Sequence, residues 1–245
     1  MLNDIKFLGI GSSYYTNNYE TSFYYKEKNK MLLMDCCPST FYRIKTLHIL
    51  DGIKHLYVCL TSPSLTNIGS LAELIKYTKK MYHFKLTLLL PSNYIFIENI
   101  KEILLFSGLK FISDYDITFN LLNVFEKIVN VMYFNVKSTN FVESYAYKFY
   151  LTDGTFFIYA GNTSNFSEII NNCKDSNDYK FDKAILNCSF YEYGKEKQFK
   201  NFTQRICHYI PVNLRNKCYI VGFDCDFDKS QTKNLGFNII NSVYK

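Results

Sequence analysis

Apolar residues in this chain switch repeatedly between two spacings, compact runs closed by turn residues and recurrences every three or four positions. Residues 5–10 form a short run ending in Gly9-Ile10-Gly11-Ser12-Ser13, a strand entering a loop. Residues 21–26 and 31–34 flank the polar Glu27-Lys28-Asn29-Lys30, the signal of a hairpin. Phe41, Ile44, Leu47 and Leu50 then follow helical spacing over 39–50, and residues 56–60 return to a buried strand before Pro63. Ile68, Leu71, Leu74 and Ile75 predict a helix ending near Lys79-Lys80. Residues 85–90 predict a strand stopped by Pro91, and 94–106 a helix closed by Gly108.

The second half repeats this style. Strands are expected at 117–121, 128–136, 145–151 and 156–160, with Asp153-Gly154 as a turn. A helix over 165–173, a strand at 183–187, a helix over 198–209 before Pro211, and closing strands at 218–223 and 237–240 complete the pattern. The 245 residues therefore read as one α/β domain, 1–245, of two similar halves, 1–125 and 126–245. Hairpins mixed among helices argue for sheets covered by helices rather than a doubly wound parallel fold.

An apolar fraction of 48% with 20% charged residues excludes a mostly disordered chain. The formal charge of +6 is dispersed, which permits an anionic partner but lacks the clustered Lys and Arg of a nucleic-acid footprint, so no nucleic-acid role is expected. No stretch approaches ~18 consecutive apolar residues, so no membrane association is expected. The start, Met1-Leu2-Asn3-Asp4-Ile5-Lys6, has no basic region leading into an apolar one, so a cytoplasmic location is expected. Sequons at Asn162, Asn165, Asn187 and Asn201 would then go unused. Eight cysteines without a CxxC pair read as reduced, mostly buried thiols.

Certain segments are more specific. The chain opens on Ile5-Lys6-Phe7-Leu8-Gly9-Ile10-Gly11-Ser12, followed by Glu20-Thr21-Ser22-Phe23 and Leu32-Leu33-Met34-Asp35-Cys36. Leu60-Thr61-Ser62-Pro63-Ser64-Leu65-Thr66-Asn67-Ile68-Gly69-Ser70-Leu71 comes next, then Phe157-Ile158-Tyr159-Ala160-Gly161-Asn162-Thr163 and Asp182-Lys183-Ala184-Ile185-Leu186-Asn187. In this order, and over essentially the whole chain, they resemble the metallo-β-lactamase fold, in the branch of ribonuclease Z and related phosphodiesterases. The segment around Asp35 is similar to that branch's "LLIDCG" strand, residues 60–71 fall at its TH-x-H-x-DH-x-G-G-L signature, and residues 157–163 resemble its "YSGDT" strand. The resemblance implies a four-layer αββα sandwich, two mixed β-sheets flanked by helices.

Members of that family hold two zinc or manganese ions with histidines and aspartates. Here the signature's ligand positions carry Ser62, Ser64, Thr66 and Asn67. The third-motif histidine falls on or near Ser138, the bridging aspartate on Asn162, and the last histidine near Gly222. Zinc needs imidazole, thiolate or carboxylate to offset its desolvation, and without the ion no water is activated at neutral pH. The resemblance with these departures implies a pseudoenzyme with no cofactor and no metal. It would bind a protein (a second copy or an active paralogue) or a phosphate-bearing nucleotide in or near the former cleft. The rival is an active hydrolase or phosphodiesterase with a rebuilt site, using Cys or Asp ligands or Ser62 or Ser64 as nucleophile, although no base is placed in sequence for either serine.

Other candidates carry less. His48, His55, His83 and His208 lie outside the aligned loops. Cys36, Cys37, Cys188 and Cys225 fall near strand ends that the resemblance brings to the site, and buried structural thiols are the plainer reading. Asp224-Cys225-Asp226-Phe227-Asp228 opens like a calcium loop, but Lys229 and Leu235 occupy the positions of its Gly and Glu. Asp35 is expected to accept hydrogen bonds from a neighbouring loop. A helix beginning near Asn67 is expected to aim backbone N–H groups at the cleft, with Ser62, Ser64 and Ser138 as further donors for a phosphate. Against this stands a plain helix cap at Thr66. The short stretch from Ser138 to Asn162 leaves no room for the arm of transfer-RNA-processing members, and a homodimer is one assembly the resemblance implies.

Overall fold

The computed structural model describes residues 4–12, 18–136, 143–161, 163, 166–175, 178–179, 181–187, 206–223 and 229–240. The first sheet runs in the order β1 (Ile5–Gly9), β2 (Ser22–Glu27), β3 (Lys30–Met34), β4 (His55–Cys59), β5 (Thr87–Leu89), β6 (Asp116–Thr118). Its first two pairings are antiparallel and the remaining three parallel. After β7 (Ile128–Asn135), β8 (Tyr145–Leu151) and β9 (Phe156–Tyr159), a small separate hairpin joins β10 (Lys174–Asp175) to β11 (Asp178–Tyr179). The second sheet then continues through β12 (Phe181–Asn187), β13 (Cys218–Val221) and β14 (Asn238–Ile239), in the order β14-β13-β12-β9-β8-β7. It repeats the pattern of the first, two antiparallel pairings followed by three parallel ones.

Local chemistry explains the hairpins and the crossovers. The β2–β3 turn has only Lys28 and Asn29 between the strands, and Lys28 takes φ +54, the conformation such a tight turn requires. Parallel neighbours need a crossover, and helices supply it. They are α1 (Thr40–Thr46) between β3 and β4, α2 (Leu65–Ile68) and α3 (Leu71–Met81) between β4 and β5, and α4 (Tyr94–Phe106) before β6. Asn93 starts α4 by accepting the Phe96 N–H at 2.9 Å, and Phe96, Ile100 and Leu104 bury one face at a helical interval. In α3 the buried stripe is Leu71, Leu74, Ile75 and Thr78. On the second half lie α5 (Phe166–Asn172), α6 (Cys207–Tyr209), a 3-10 turn over Val212–Lys217 and α7 (Lys229–Asn234). Of the helix expected over 198–209, only α6 falls within the described residues. Among the described residues no helix is long and apolar enough to cross a membrane.

Aromatic rings fill the space between the sheets. Phe149 stacks on Phe157 with centroids 4.4 Å apart, and Phe23 of the first sheet meets Tyr159 of the second edge-on at 5.0 Å. A separate apolar cluster on the outer side of the second sheet includes Phe156, Phe166, Phe181, Leu186, Ile220 and Phe237.

Polar bonds also cross between the sheets. The buried Tyr147 hydroxyl, on β8, donates to the carbonyls of Leu60 (2.9 Å) and Leu89 (3.2 Å), which follow β4 and end β5. Tyr147→Phe is expected to lower stability by about 1–2 kcal/mol, measured by urea unfolding, because the Leu60 carbonyl loses the hydroxyl donor while the ring packing stays.

Candidate functional site

The parallel strands β3 and β4 both end at one edge of the first sheet, and their carboxyl ends carry Asp35 and the segment 60–67. Asp35 is fully buried and has φ +56, a left-handed conformation that Asp tolerates better than most residues. One carboxylate oxygen accepts the Thr61 N–H at 2.8 Å. The Thr61 hydroxyl is shared between both oxygens at 3.0 and 2.8 Å, and the Tyr159 hydroxyl, from the second sheet, donates at 3.3 Å. The sequence reading of Asp35 as an acceptor for a neighbouring loop is met by Thr61. Tyr159 was invisible in the sequence as a partner, because only the stacking of the two sheets brings β9 over β3.

Four of the expected positions come together on this carboxylate. Asn67 donates its amide N–H to the Thr61 hydroxyl at 3.0 Å, and its amide oxygen accepts the Thr66 hydroxyl at 3.0 Å. The Thr66 proton being committed, the 3.0 Å contact between the Ser64 and Thr66 hydroxyls has Ser64 as donor. Ser62 Oγ accepts the Ser64 N–H at 3.2 Å. A single polarised chain thus runs from Ser64 through Thr66, Asn67 and Thr61 to Asp35.

Gly222 lies elsewhere on the rim. At φ +79, its N–H donates to the Ile10 carbonyl at 2.8 Å, tying the end of β13 to the end of β1. Ser138 and Asn162 lie outside the described residues, as do Cys188, Cys225 and the acidic turn 224–228. Gly161, just before Asn162, has φ +61 and packs on the network: a Cβ there would sit 2.9 Å from Thr61 Cβ and 3.1 Å from the Tyr145 carbonyl oxygen.

The helix expected at Asn67 requires a correction. α2 is a single turn of four residues that stops at Gly69, and α3 begins separately at Leu71. Three of its four N–H groups are committed inward: Thr66 N–H to Ser64 Oγ at 3.4 Å, and those of Asn67 and Ile68 to the Ser64 carbonyl at 2.8 and 3.1 Å. So short a helix has little dipole, and its amides do not form an anion cradle. Ser64, rather than Thr66, is the capping residue.

Burial pushes the Asp35 carboxyl up to about 6, while the bonds from Thr61, Asn67 and Tyr159 hold it down. The folded value lies above the unfolded one of 3.8, so the neutral group is the favoured buried form. Its contribution to stability is fully present below pH about 4 and is lost as the pH rises through about 6, a change of about 3 kcal/mol.

The residues present do not fit a divalent transition ion. Ser62, Ser64, Thr66 and Asn67 are neutral, and their oxygens are already engaged with one another. Asp35 spends its oxygens on Thr61 and Tyr159. Burial raises the Cys36 thiol to about 12 and also pushes those of Cys37 and Cys59 well above the ordinary thiol value, so none is a ready thiolate. His48, His55, His83 and His208 are exposed and scattered. Among the described residues no three His, Cys, Asp or Glu side chains form a group able to hold a metal ion. Serine chemistry has no better footing, since the Ser64 proton goes to Thr66 and, among the described residues, no carboxylate, imidazole or amine bonds either serine hydroxyl.

No family model matches the sequence, and no curated protein matches it significantly. Solved structures do match the fold. The metallo-β-lactamase fold protein YhfI from Bacillus subtilis superposes with a TM-score of 0.66 at 12% identity, over 98% of this chain and 97% of that one. A diphosphatase of the PhnP family gives 0.63 at 12% identity, over 98% and 95%. The short form of human tRNase Z gives 0.58 at 11% identity, over 98% and 97%. With two six-stranded mixed sheets flanked by helices and this likeness along nearly its whole length, the chain has the metallo-β-lactamase fold.

Proposed function

We propose that this chain is a metal-free, catalytically silent member of its fold that acts by binding. The observation that carries the reading is the closed hydrogen-bond chain Ser64–Thr66–Asn67–Thr61–Asp35. Where relatives would gather charged or imidazole ligands around an ion, these side chains satisfy one another, and a cation would have to break the chain to enter. Two partner classes follow from the resemblance, a protein or a phosphate-bearing nucleotide. With the Thr66, Asn67 and Ile68 amides of α2 turned inward and the Ser64 and Thr66 hydroxyl protons spent within the loop, few donors remain here for a phosphate, so the protein partner is the better supported.

Hydrolysis of bis(4-nitrophenyl) phosphate with added zinc or manganese tests the reading. The expected result is no turnover above that of the free ions. A saturable, metal-dependent rate abolished by Asn67→Ala would overturn it.

A further inference from the structure

The two sheets have four outer edges, and three of them are poor templates for another strand. β14 has two residues, β6 has three, and β1 has five with the exposed Lys6 among them. The fourth is β7, eight residues reading Ile-Val-Asn-Val-Met-Tyr-Phe-Asn without a charge or a proline. Long uncharged edges are what folded proteins ordinarily blunt, because their open N–H and C=O groups pair with any extended chain.

The register shows which groups are open. Val131 faces Phe149, Tyr133 faces Tyr147 and Asn135 faces Tyr145 on β8. The Val131 N–H bonds the Asn130 side-chain oxygen at 2.8 Å, so it points away from β8. Next to Asn135, the Val136 N–H does bond the Ser144 carbonyl at 2.8 Å. Antiparallel pairs alternate, so the odd residues aim their main-chain groups outward and the even ones bond β8. Among the described residues the open ladder is therefore the Val131 carbonyl, both groups of Tyr133 and the N–H of Asn135. Earlier in the strand the edge is closed, since the Asn123 N–H reaches the Val129 carbonyl at 3.4 Å. At the other end the Tyr133 hydroxyl donates to Ser92 Oγ at 2.5 Å and accepts the Ser92 N–H at 2.8 Å, which places this stretch beside the loop after β5.

We propose that the edge of β7 over residues 131–135 receives an extended, uncharged peptide segment of a partner protein as an added strand. Only an extended main chain presents donors and acceptors at the matching interval. Met132, half exposed, and the partly buried Phe134 and Tyr133 give the incoming strand apolar contacts on both faces. A second copy of this chain fits less well. A five-residue pairing is about 17 Å long, a strip well short of the ~800 Å² per partner of a stable dimer, and the chain before β7 crowds its start.

This gives the protein-binding reading a surface, and its failure would leave that reading intact, because metal binding and turnover decide the latter. Residue-resolved amide exchange on the full chain is the test, with a blocked six-residue peptide of alternating valine and threonine as the probe. Without peptide, Tyr133 and Asn135 should exchange fast while Met132 and Phe134 are slow. Millimolar peptide should slow Tyr133 and Asn135 by about tenfold or more, and the same peptide N-methylated on alternate amides should not. Asn135→Pro removes an N–H that β8 does not use, and Met132→Lys sets a charge on the edge; each should abolish the protection with core exchange unchanged. Unchanged rates with the peptide, equal protection by the N-methylated form, or persistence in both variants would overturn the proposal. So would protection that grows with protein concentration alone, the mark of a second copy on the edge.

Discussion

Asp35→Ala is expected to lower stability by about 3–5 kcal/mol at pH 5, a large share of the ~5–15 kcal/mol that a domain has. The truncation leaves the Thr61 N–H, the Thr61 hydroxyl and the Tyr159 hydroxyl without their acceptor, and buried orphans cost about 1–3 kcal/mol each. It also puts alanine at φ +56, a conformation costing about 1–2 kcal/mol. At pH 8 the deficit should narrow by about 1.4 kcal/mol relative to pH 5, since there the wild-type chain itself bears the burial cost of an ionised carboxylate. Asp35→Asn keeps an oxygen for Thr61 and a tolerance for the left-handed backbone, so it should lose about 1–2 kcal/mol and flatten the pH dependence between about 4 and 6. Urea unfolding at both pH values checks all of this. A Asp35→Ala deficit identical at pH 5 and pH 8 would mean that the carboxyl titrates as it does in the unfolded chain.

Gly161→Ala should cost about 2–4 kcal/mol for a different reason. The backbone at φ +61 favours glycine, and the new methyl would meet Thr61 Cβ at 2.9 Å and the Tyr145 carbonyl oxygen at 3.1 Å. Neither neighbour yields easily: Thr61 is held by Asp35, and the Tyr145 N–H donates to the Thr61 carbonyl at 2.8 Å. The substitution therefore strains the same network from the second sheet. Combined with Asp35→Ala its cost should be clearly less than additive, because residues sharing one network couple. An additive double variant would show that the two sheets meet here without cooperation.

Much of the fold was legible in the sequence because its signals are local. Glu27-Lys28-Asn29-Lys30 between two apolar runs marks a hairpin wherever it occurs, and β2 and β3 flank it. The run from Tyr145 to Leu151 reads as a strand and is one. The helical spacing from Ile68 onward was real but its start was not. Where α2 stops, a Cβ at Gly69 would lie 2.8 Å from Pro38 Cγ, so that position must be glycine, and the Ser70 hydroxyl donates to the Cys37 carbonyl at 2.5 Å. Both constraints come from a loop some thirty residues away, so no periodicity within 60–75 could reveal them. The strand at 117–121 is shorter than its apolar run, because the Thr118 hydroxyl turns back onto the Asn120 carbonyl at 2.9 Å.

The site shows the same division. That Ser62, Ser64, Thr66 and Asn67 are neutral and share one loop after β4 was legible in the sequence. That these residues close on Asp35 through Thr61, and that Tyr159 completes the set, depends on the approach of one sheet to the other. The sequence also could not show that the amides of α2 turn inward, and this shifts the weight from a phosphate ligand toward a protein.

The central claim is that these side chains hold no metal ion. Protein made without a histidine tag or chelator should be equilibrated with micromolar zinc and, separately, manganese, passed through a desalting column, and analysed for metal by mass spectrometry. The expected result is less than ~0.1 ion per chain in either case. One or two ions retained per chain, and lost in Asn67→Ala or Asp35→Asn, would contradict the claim and make this an active-site architecture after all.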